Sequence, residues 1–424
     1  MCTETADVAS GQVTSGQQAL ATPADAERLL ADVVFSEAGD PYDGYRRLRE
    51  AAPVLLTSDR ILVLSCYEDV VSALRHRSLG RAEEEVFSMH AGKLTEDQLR
   101  QALRWPKRSV LLSNPPDHTR LRRLISEAFT PRHAGLLRPL VAAAAEEMLD
   151  RLAGRPVADF IRLVALPLPA KMIAGLLGVP DHDYAGFAPV VREMVEIIEP
   201  AADPGTLARA VAAEEQLAGY FAGLLAAKRR QPADDLLSRL AASHAADALD
   251  HTEVIATAML LFAAGFETTT NLLGNGLHAL LTHPAQLALL RREPGLIPRA
   301  VEEFLRFDPP AQVTSRAVLE PCTIAGTDLA TGQTVLTLLA AANRDPARFT
   351  DPDHLDVARD EGPSLAFASG IHFCLGAHLA RLEATEVFTR LLRRYPRIEL
   401  AGPVRRRSGR RLRGFAELPV TVFS

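Results

Sequence analysis

Cys374 is the residue of this sequence best placed to do chemistry. It stands in Phe367-Ala-Ser-Gly370-Ile-His372-Phe-Cys374-Leu-Gly376, a loop with a glycine on either side, and a long helical pattern follows at once. Backbone N–H groups at the start of a helix point toward a sulfur held there, which favours the thiolate. Gly370 and Gly376 admit backbone conformations closed to other residues and a close approach to a flat ligand, while Phe367 can cover the sulfur. The chemistry on offer is a metal bound through a single sulfur. The competing reading is an inert buried thiol, the ordinary fate of a free cysteine.

Three other groupings could act with it. Ala264-Gly265-Phe266-Glu267-Thr268-Thr269 lies inside a helical pattern from His251 to Leu281. A glycine there costs about 1 kcal/mol and a buried acid needs a partner, so something offsets the cost. The plainest explanation is a tolerated kink, with Thr268 bonding back to a carbonyl one turn earlier and bending the helix. His118 and Arg122, four apart, share one helix face and could hold a carboxylate, although such pairs are also ordinary solvated surface. Glu303 and Arg306, three apart between Ile297 and Phe307, read on their own as a surface ion pair.

These groups need elements to carry them. Pro41 to Ala51 is helical, and Val54-Leu55-Leu56, a turn at Ser58-Asp59 and Ile61 to Leu64 read as a β-hairpin. Tyr67 to Arg75 is helical again, and Arg81 to Trp105 reads as a loop with a short helix. Pro115-Pro116-Asp117 stops one element and caps the helix of His118 and Arg122, which runs to Phe129. Leu136 to Arg229 is an Ala- and Leu-rich helical lobe, broken at Gly154-Arg155-Pro156, Gly178-Val179-Pro180 and Pro200 to Gly205. Alternation around Ala317-Val318 and from Val335 to Leu339 reads as strands. Leu375, Leu379, Leu382 and Leu391 recur at helical spacing up to Arg394, a helix starting at the sulfur, and the run Arg405 to Arg413 reads as a solvated hairpin surface.

With 424 residues and 47% apolar side chains the chain can bury a large core, as one big domain or two ordinary ones. A net charge of −6 without long acidic blocks gives no reason to expect nucleic acid as a partner. Cys2, Cys66, Cys322 and Cys374 form no CxxC pair, which argues against a zinc site or a disulfide framework and fits a reducing cytoplasm. The Ser-, Thr-, Gly- and Gln-rich start up to Thr22 is neither signal nor anchor, and Val254 to Phe266 is too short to cross a bilayer. A soluble, cytoplasmic protein is expected.

The pattern Phe367-x-x-Gly370-x-His372-x-Cys374-x-Gly376 with Ala380-Arg381, preceded in order by Asp117-His118-Thr119-x-x-Arg122, Ala264-Gly265-x-Glu267-Thr268 and Glu303-x-x-Arg306, closely resembles the cytochrome P450 family of haem-thiolate monooxygenases. The motifs span Asp117 to Glu383, and the resemblance covers nearly everything but the leader. Ala368 departs from the pattern, since many members have glycine there.

The resemblance implies one mainly α domain with a small β-rich lobe over 23–424, after a flexible leader 1–22, with haem b between the long central helix and the cysteine loop. It implies that Cys374 is the iron ligand, that His118, Arg122, Arg316 and His372 meet the haem propionates, and that Phe367, Gly376 and Ala264 lie against the ring. Gly265 would leave a groove for O2, and Thr268 and Glu267 would deliver protons. Leu260, Ala263, Val313, Thr314 and Phe415 would shape the substrate pocket, with the break at Pro200 to Gly205 between two lid helices. Glu303, Arg306 and His354 would form a buried structural set behind the haem. The implied reaction inserts one oxygen atom from O2 into a small organic molecule, by hydroxylation or epoxidation, in a bacterial secondary-metabolite pathway. The same site could instead serve coupling, desaturation or peroxide-driven oxidation, while a non-catalytic scaffold would have no use for Cys374, Glu267 and Thr268 together. No flavin or NADPH module follows residue 424, so electrons are expected from a separate ferredoxin and its reductase, docking near Arg123 and Arg381 on a monomer.

Overall fold

The computed structural model describes residues 22–35, 39–82, 95–199, 203–245 and 249–423. Residues 1–21 of the leader, residues 83–94 of the segment expected as a loop with a short helix, and residues 200–202 of the break before Gly205 lie outside the described residues; the short helix expected in that segment is present as Glu96–Ala102. Seven helices place the site: α1 (Asp117–Ser126), α2 (Pro131–Asp150), α3 (Asp181–Val195), α4 (Pro204–Arg230), α5 (His251–Thr282), α6 (Ile297–Phe307) and α7 (Ala377–Arg394).

Helix α5 is the axis of the molecule, apolar on nearly every side and buried along most of its length. Its start is fixed by a capping box, in which Asp250 Oδ1 accepts the Glu253 N–H at 2.7 Å and Glu253 Oε2 accepts the Asp250 N–H at 2.9 Å. Glu253 also pairs with Arg120, which ties the first turn of α5 to α1. One core cluster packs Leu272, Leu273 and Leu277 of α5 against Phe304 of α6 and Phe388 and Leu391 of α7. Gly276 makes that approach possible, because a Cβ there would lie 2.7 Å from the Phe304 ring and 2.9 Å from that of Phe388. A second cluster packs Phe262 and Phe266 against Ile173 of the helix Pro167–Leu177 and Phe221 of α4. Each such fully buried side chain contributes roughly 1.5–3 kcal/mol.

The β-rich lobe is built on a five-stranded sheet of β1 (Val54–Leu56), β2 (Leu62–Leu64), β3 (Leu79–Gly80), β4 (Thr314–Val318) and β5 (Thr334–Thr337), in the order β1-β2-β5-β4-β3. The predicted hairpin is β1–β2, with Val54 opposite Leu64. Strand β2 runs parallel to β5, and the antiparallel neighbour β4 sets Arg316 opposite Val335. The strand expected up to Leu339 stops at Thr337, and a short helix, Leu339–Ala342, follows.

The largest departure from expectation is the arginine run. Arg405–Arg406 does pair with Phe415–Glu417. Yet Arg410 and Arg413 are buried rather than solvated, Arg413 Nε donates to Asp308 Oδ1 at 2.8 Å, and Arg406 and Arg407 engage Asp308, Glu196 and Glu267. The run supplies counter-charges for acids buried elsewhere in the chain.

Candidate active site

The loop that carries Cys374 is shaped by two residues in the left-handed region, Ala368 at φ 56° and Gly370 at φ 74°. A Cβ on Gly370 would lie 2.3 Å from the Leu74 carbonyl oxygen, so only glycine fits. Gly376 keeps an ordinary φ of −80°, and a Cβ there would meet nothing. The conformational freedom expected at Gly376 is in fact needed at Ala368. The Cys374 N–H donates to the Phe367 carbonyl at 3.0 Å, and the Gly376 and Ala377 N–H groups point at the sulfur. Burial pushes the thiol up from its ordinary value, against those N–H groups and the charges of Arg122 and Arg381. Burial outweighs the helix-start bias, and a metal cation at the sulfur would reverse the balance, since coordination deprotonates a thiol outright. Phe367 is clamped by Arg381, whose guanidinium lies 4.4 Å from the ring centroid while it bonds Glu302 through two nitrogens at 2.5 and 3.0 Å.

Across from this loop, α5 presents an open stripe in an otherwise buried helix: Ala264 is exposed and Gly265 and Thr268 are half-buried. These three residues line a cavity of about 430 Å³ whose other walls include Phe367, Cys374 and Gly376. Leu260, Val313 and Thr314 line it as expected, with many further aliphatic side chains. Thr268 Oγ1 donates back to the Ala264 carbonyl at 2.7 Å, so the helix-bending bond and the cavity-facing hydroxyl belong to the same residue. The missing side chain of Gly265 serves helix packing as well, since a Cβ would lie 3.2 Å from Ile173.

Glu267 does not line the cavity. One residue on from Phe266, it is 1% exposed and held by Arg407, with Arg192 Nε 3.8 Å away. Two other expected pocket residues are also misplaced. Ala263 is buried in the helix packing outside the cavity wall. Phe415 is 1% exposed in the core, its ring 4.7 Å from that of His278 and 3.8 Å from the Arg406 guanidinium. Arg411 and Leu412 of the same loop line the cavity in its place.

The polar residues gather at one side. His118 on α1 is 3% exposed, its ring 4.5 Å from that of His372, and among the described residues neither Nε2 has a hydrogen-bond partner. Burial, then the charges of Arg81 and Arg316, pushes His372 down to about 2, and burial, then Arg122, lowers His118. Both rings are neutral at pH 7 and each holds a nitrogen in want of a partner. Arg122 Nη2 donates to the Phe373 carbonyl at 2.7 Å, which joins α1 to the cysteine loop. Arg316 and Arg81 converge on the Ser315 carbonyl at 2.7 and 3.0 Å. Arg81 belongs to no motif and was missed in the sequence. Its position follows from β3, whose Gly80 lies opposite Ala317 of β4, and from Asn114, which accepts the Arg81 N–H at 2.8 Å and donates to its carbonyl at 2.7 Å. One sulfur, an apolar slot and a cluster of guanidinium and unsatisfied imidazole groups fit a flat iron porphyrin bearing two carboxylates.

The structural set is a different trio from the expected one. Arg306 is bidentate to Glu303 at 2.7 Å in both bonds, and both are buried. His354 joins only through its carbonyl, which accepts from Arg306 at 3.1 Å, while its side chain is exposed. The third charge is Arg359, its Nε 3.2 Å from Glu303. Glu383 on α7 was also missed: it lines the cavity, and burial alone pushes it up to about 8.

The family model for cytochrome P450 matches residues 204–401. The chain is 38% identical over 418 residues to cytochrome P450 107B1 of Saccharopolyspora erythraea, covering 94% of this chain and 99% of that protein. It is 39% identical over 392 residues to the vitamin D(3) 25-hydroxylase of Pseudonocardia autotrophica, covering 90% and 94%. Its structure superposes on that of P450BioI, solved in complex with a hexadec-9Z-enoic acid ligated acyl carrier protein, with a TM-score of 0.85 and 34% identity over 91% of this chain and 99% of that one. With this likeness along almost its full length, the chain belongs to the cytochrome P450 family.

Proposed function

We propose that this P450 monooxygenase binds haem b through Cys374 and oxygenates an extended apolar molecule. The observation that carries this reading is one apolar cavity with Cys374 on one wall, Ala264, Gly265 and Thr268 on another, and Arg122, Arg81 and His372 at its polar side. Arg122, Arg81, Arg316 and the neutral imidazoles of His118 and His372 would take the propionates, the imidazoles through N–H groups that otherwise stay buried and unsatisfied. When bound, the haem supplies the redox iron with which two electrons and O2 place one oxygen atom in an organic substrate.

The chain's own residues manage position and protons. Thr268 Oγ1, held by its bond to the Ala264 carbonyl, keeps lone pairs free toward the cavity and is the last protein atom on the proton path. Glu267 would feed that path only by turning away from Arg407 and Arg192, so those two arginines set how readily its carboxylate moves. The aliphatic walls exclude water and select hydrophobic substrates. The names of two relatives, a vitamin D(3) hydroxylase and a protein bound to an acylated carrier, support an extended hydrophobic substrate, and a third, an enzyme of chuangxinmycin biosynthesis, supports a role in secondary metabolism. A ferredoxin and its reductase would supply the electrons. Arg123 is exposed on α1, next in sequence to Arg122, whose guanidinium bonds the cysteine loop, and is open to such a partner, whereas Arg381 is already engaged by Glu302.

The test is Thr268→Val in the haem-loaded protein, driven by a surrogate ferredoxin and reductase with a substrate that wild type oxidises. Product formed per electron consumed should fall roughly ten-fold or more, with peroxide rising to match and haem content unchanged. Unaltered coupling would remove Thr268 from the proton path.

A further inference from the structure

Glu199 follows α3 and the short turn Glu196–Ile198, is 6% exposed, and accepts three consecutive backbone N–H groups. Its Oε2 takes those of Arg410 and Arg411 at 2.8 and 2.9 Å, and Oε1 takes that of Leu412 at 2.9 Å. A carboxylate in a cup of successive N–H groups is a strong, charge-assisted arrangement. It is also a tight one, since a Cβ on Gly409 would lie 2.5 Å from Glu199 Oε1. The residues on both sides of this contact face the cavity: Ile197 and Ile198 immediately before Glu199, and Arg411 and Leu412 among the groups it binds. One side chain therefore joins two parts of the wall that are more than two hundred residues apart in sequence.

We propose that Glu199 is a positioning residue for substrate. By locking 410–412 against 197–198 it fixes the shape of this wall, and so how long a bulky apolar molecule stays bound. Glutamine cannot replace it, because an amide NH2 would face a backbone N–H at one of the two oxygen positions. The supporting bonds of the loop, from Arg407 to Glu196 at 3.3 Å and from the Gln312 N–H to the Arg411 carbonyl at 3.0 Å, do not involve the Glu199 carboxylate. Loss of Glu199 should therefore loosen this stretch of wall and leave the fold in place. The inference rests on the cavity being the haem and substrate site.

The experiment compares wild type, Glu199→Gln and Gly409→Ala as haem-loaded proteins, with two probes that bind iron through nitrogen. Imidazole is too small to reach the walls, and 4-phenylimidazole adds a ring that must lie against them. Dissociation of 4-phenylimidazole, followed by the Soret band, should speed up roughly ten-fold in both variants, while imidazole dissociates as from wild type. Hydrogen exchange should quicken in residues 409–413 in particular. If Glu199→Gln fails to hold haem, Gly409→Ala, which keeps the carboxylate but displaces it, decides the matter. Unchanged 4-phenylimidazole rates, or an equal rise for both probes, would overturn the proposal. Wild-type protein unable to bind haem would overturn the proposed function along with it, whereas haem-loaded variants with wild-type rates would sink this inference alone.

Discussion

Ala368 carries backbone strain in the cysteine loop. Its departure from the family pattern was visible in the sequence, but the glycines at 370 and 376 drew the conformational argument instead. In the structure Ala368 takes φ 56° while Gly376 does not need positive φ. A β-carbon in the left-handed region costs about 1–2 kcal/mol, partly offset by the lower unfolded-state entropy of alanine. Ala368→Gly should therefore raise the unfolding free energy by roughly 0.5–1 kcal/mol, read from the denaturation midpoint of the holoprotein; a lower midpoint would mean that the strain is absent. Cys374, Thr268, Arg122 and His372 were legible because motif spacing fixes them on the cavity wall. Arg81 and Arg411 were not, because only strand pairing and a long-range loop bring them there.

The bounds of helices α5, α6 and α7 could be read within a few residues, since apolar periodicity and the flanking prolines are local signals. The partners of charged side chains are not local. A run of arginines from 405 to 413 carries no mark of Asp308, Glu196 and Glu267, to which the fold delivers it. For the same reason the basic partner of Glu303 was assigned to His354, whereas Arg359 occupies the space. Helix α7 offers a sharper case, because burial raises Glu383 from 4.5 to about 8 with no charged neighbour to oppose it. Between those values the native state keeps a proton that the unfolded chain has lost, so this group's contribution to stability falls as pH rises through that window. Glu383→Gln removes the effect. From pH 5 to pH 8, wild type should lose on the order of a few kcal/mol more unfolding free energy than the variant; parallel profiles would show that Glu383 ionises freely in the native state.

At the scale of the whole molecule, the mainly α architecture and its small β-rich lobe put three distant segments around one apolar slot: the middle of α5, the loop before α7, and α1 with the edge of the sheet. Among the described residues no helix is long and apolar enough to cross a membrane. The position of the slot was legible, because the order of four motifs defines it. The shape of its walls was not, because the side chains of 102–112, 197–198 and 411–412 meet only after the chain has folded. The proposed function depends on a bond from the Cys374 sulfur to iron. The most direct measurement is the absorption spectrum of the reduced, CO-bound protein beside that of Cys374→Ala. The account predicts the strongly red-shifted Soret band of a thiolate-ligated haem in wild type and its disappearance in the variant. A wild-type spectrum without that band, or a variant that keeps it, would contradict the assignment.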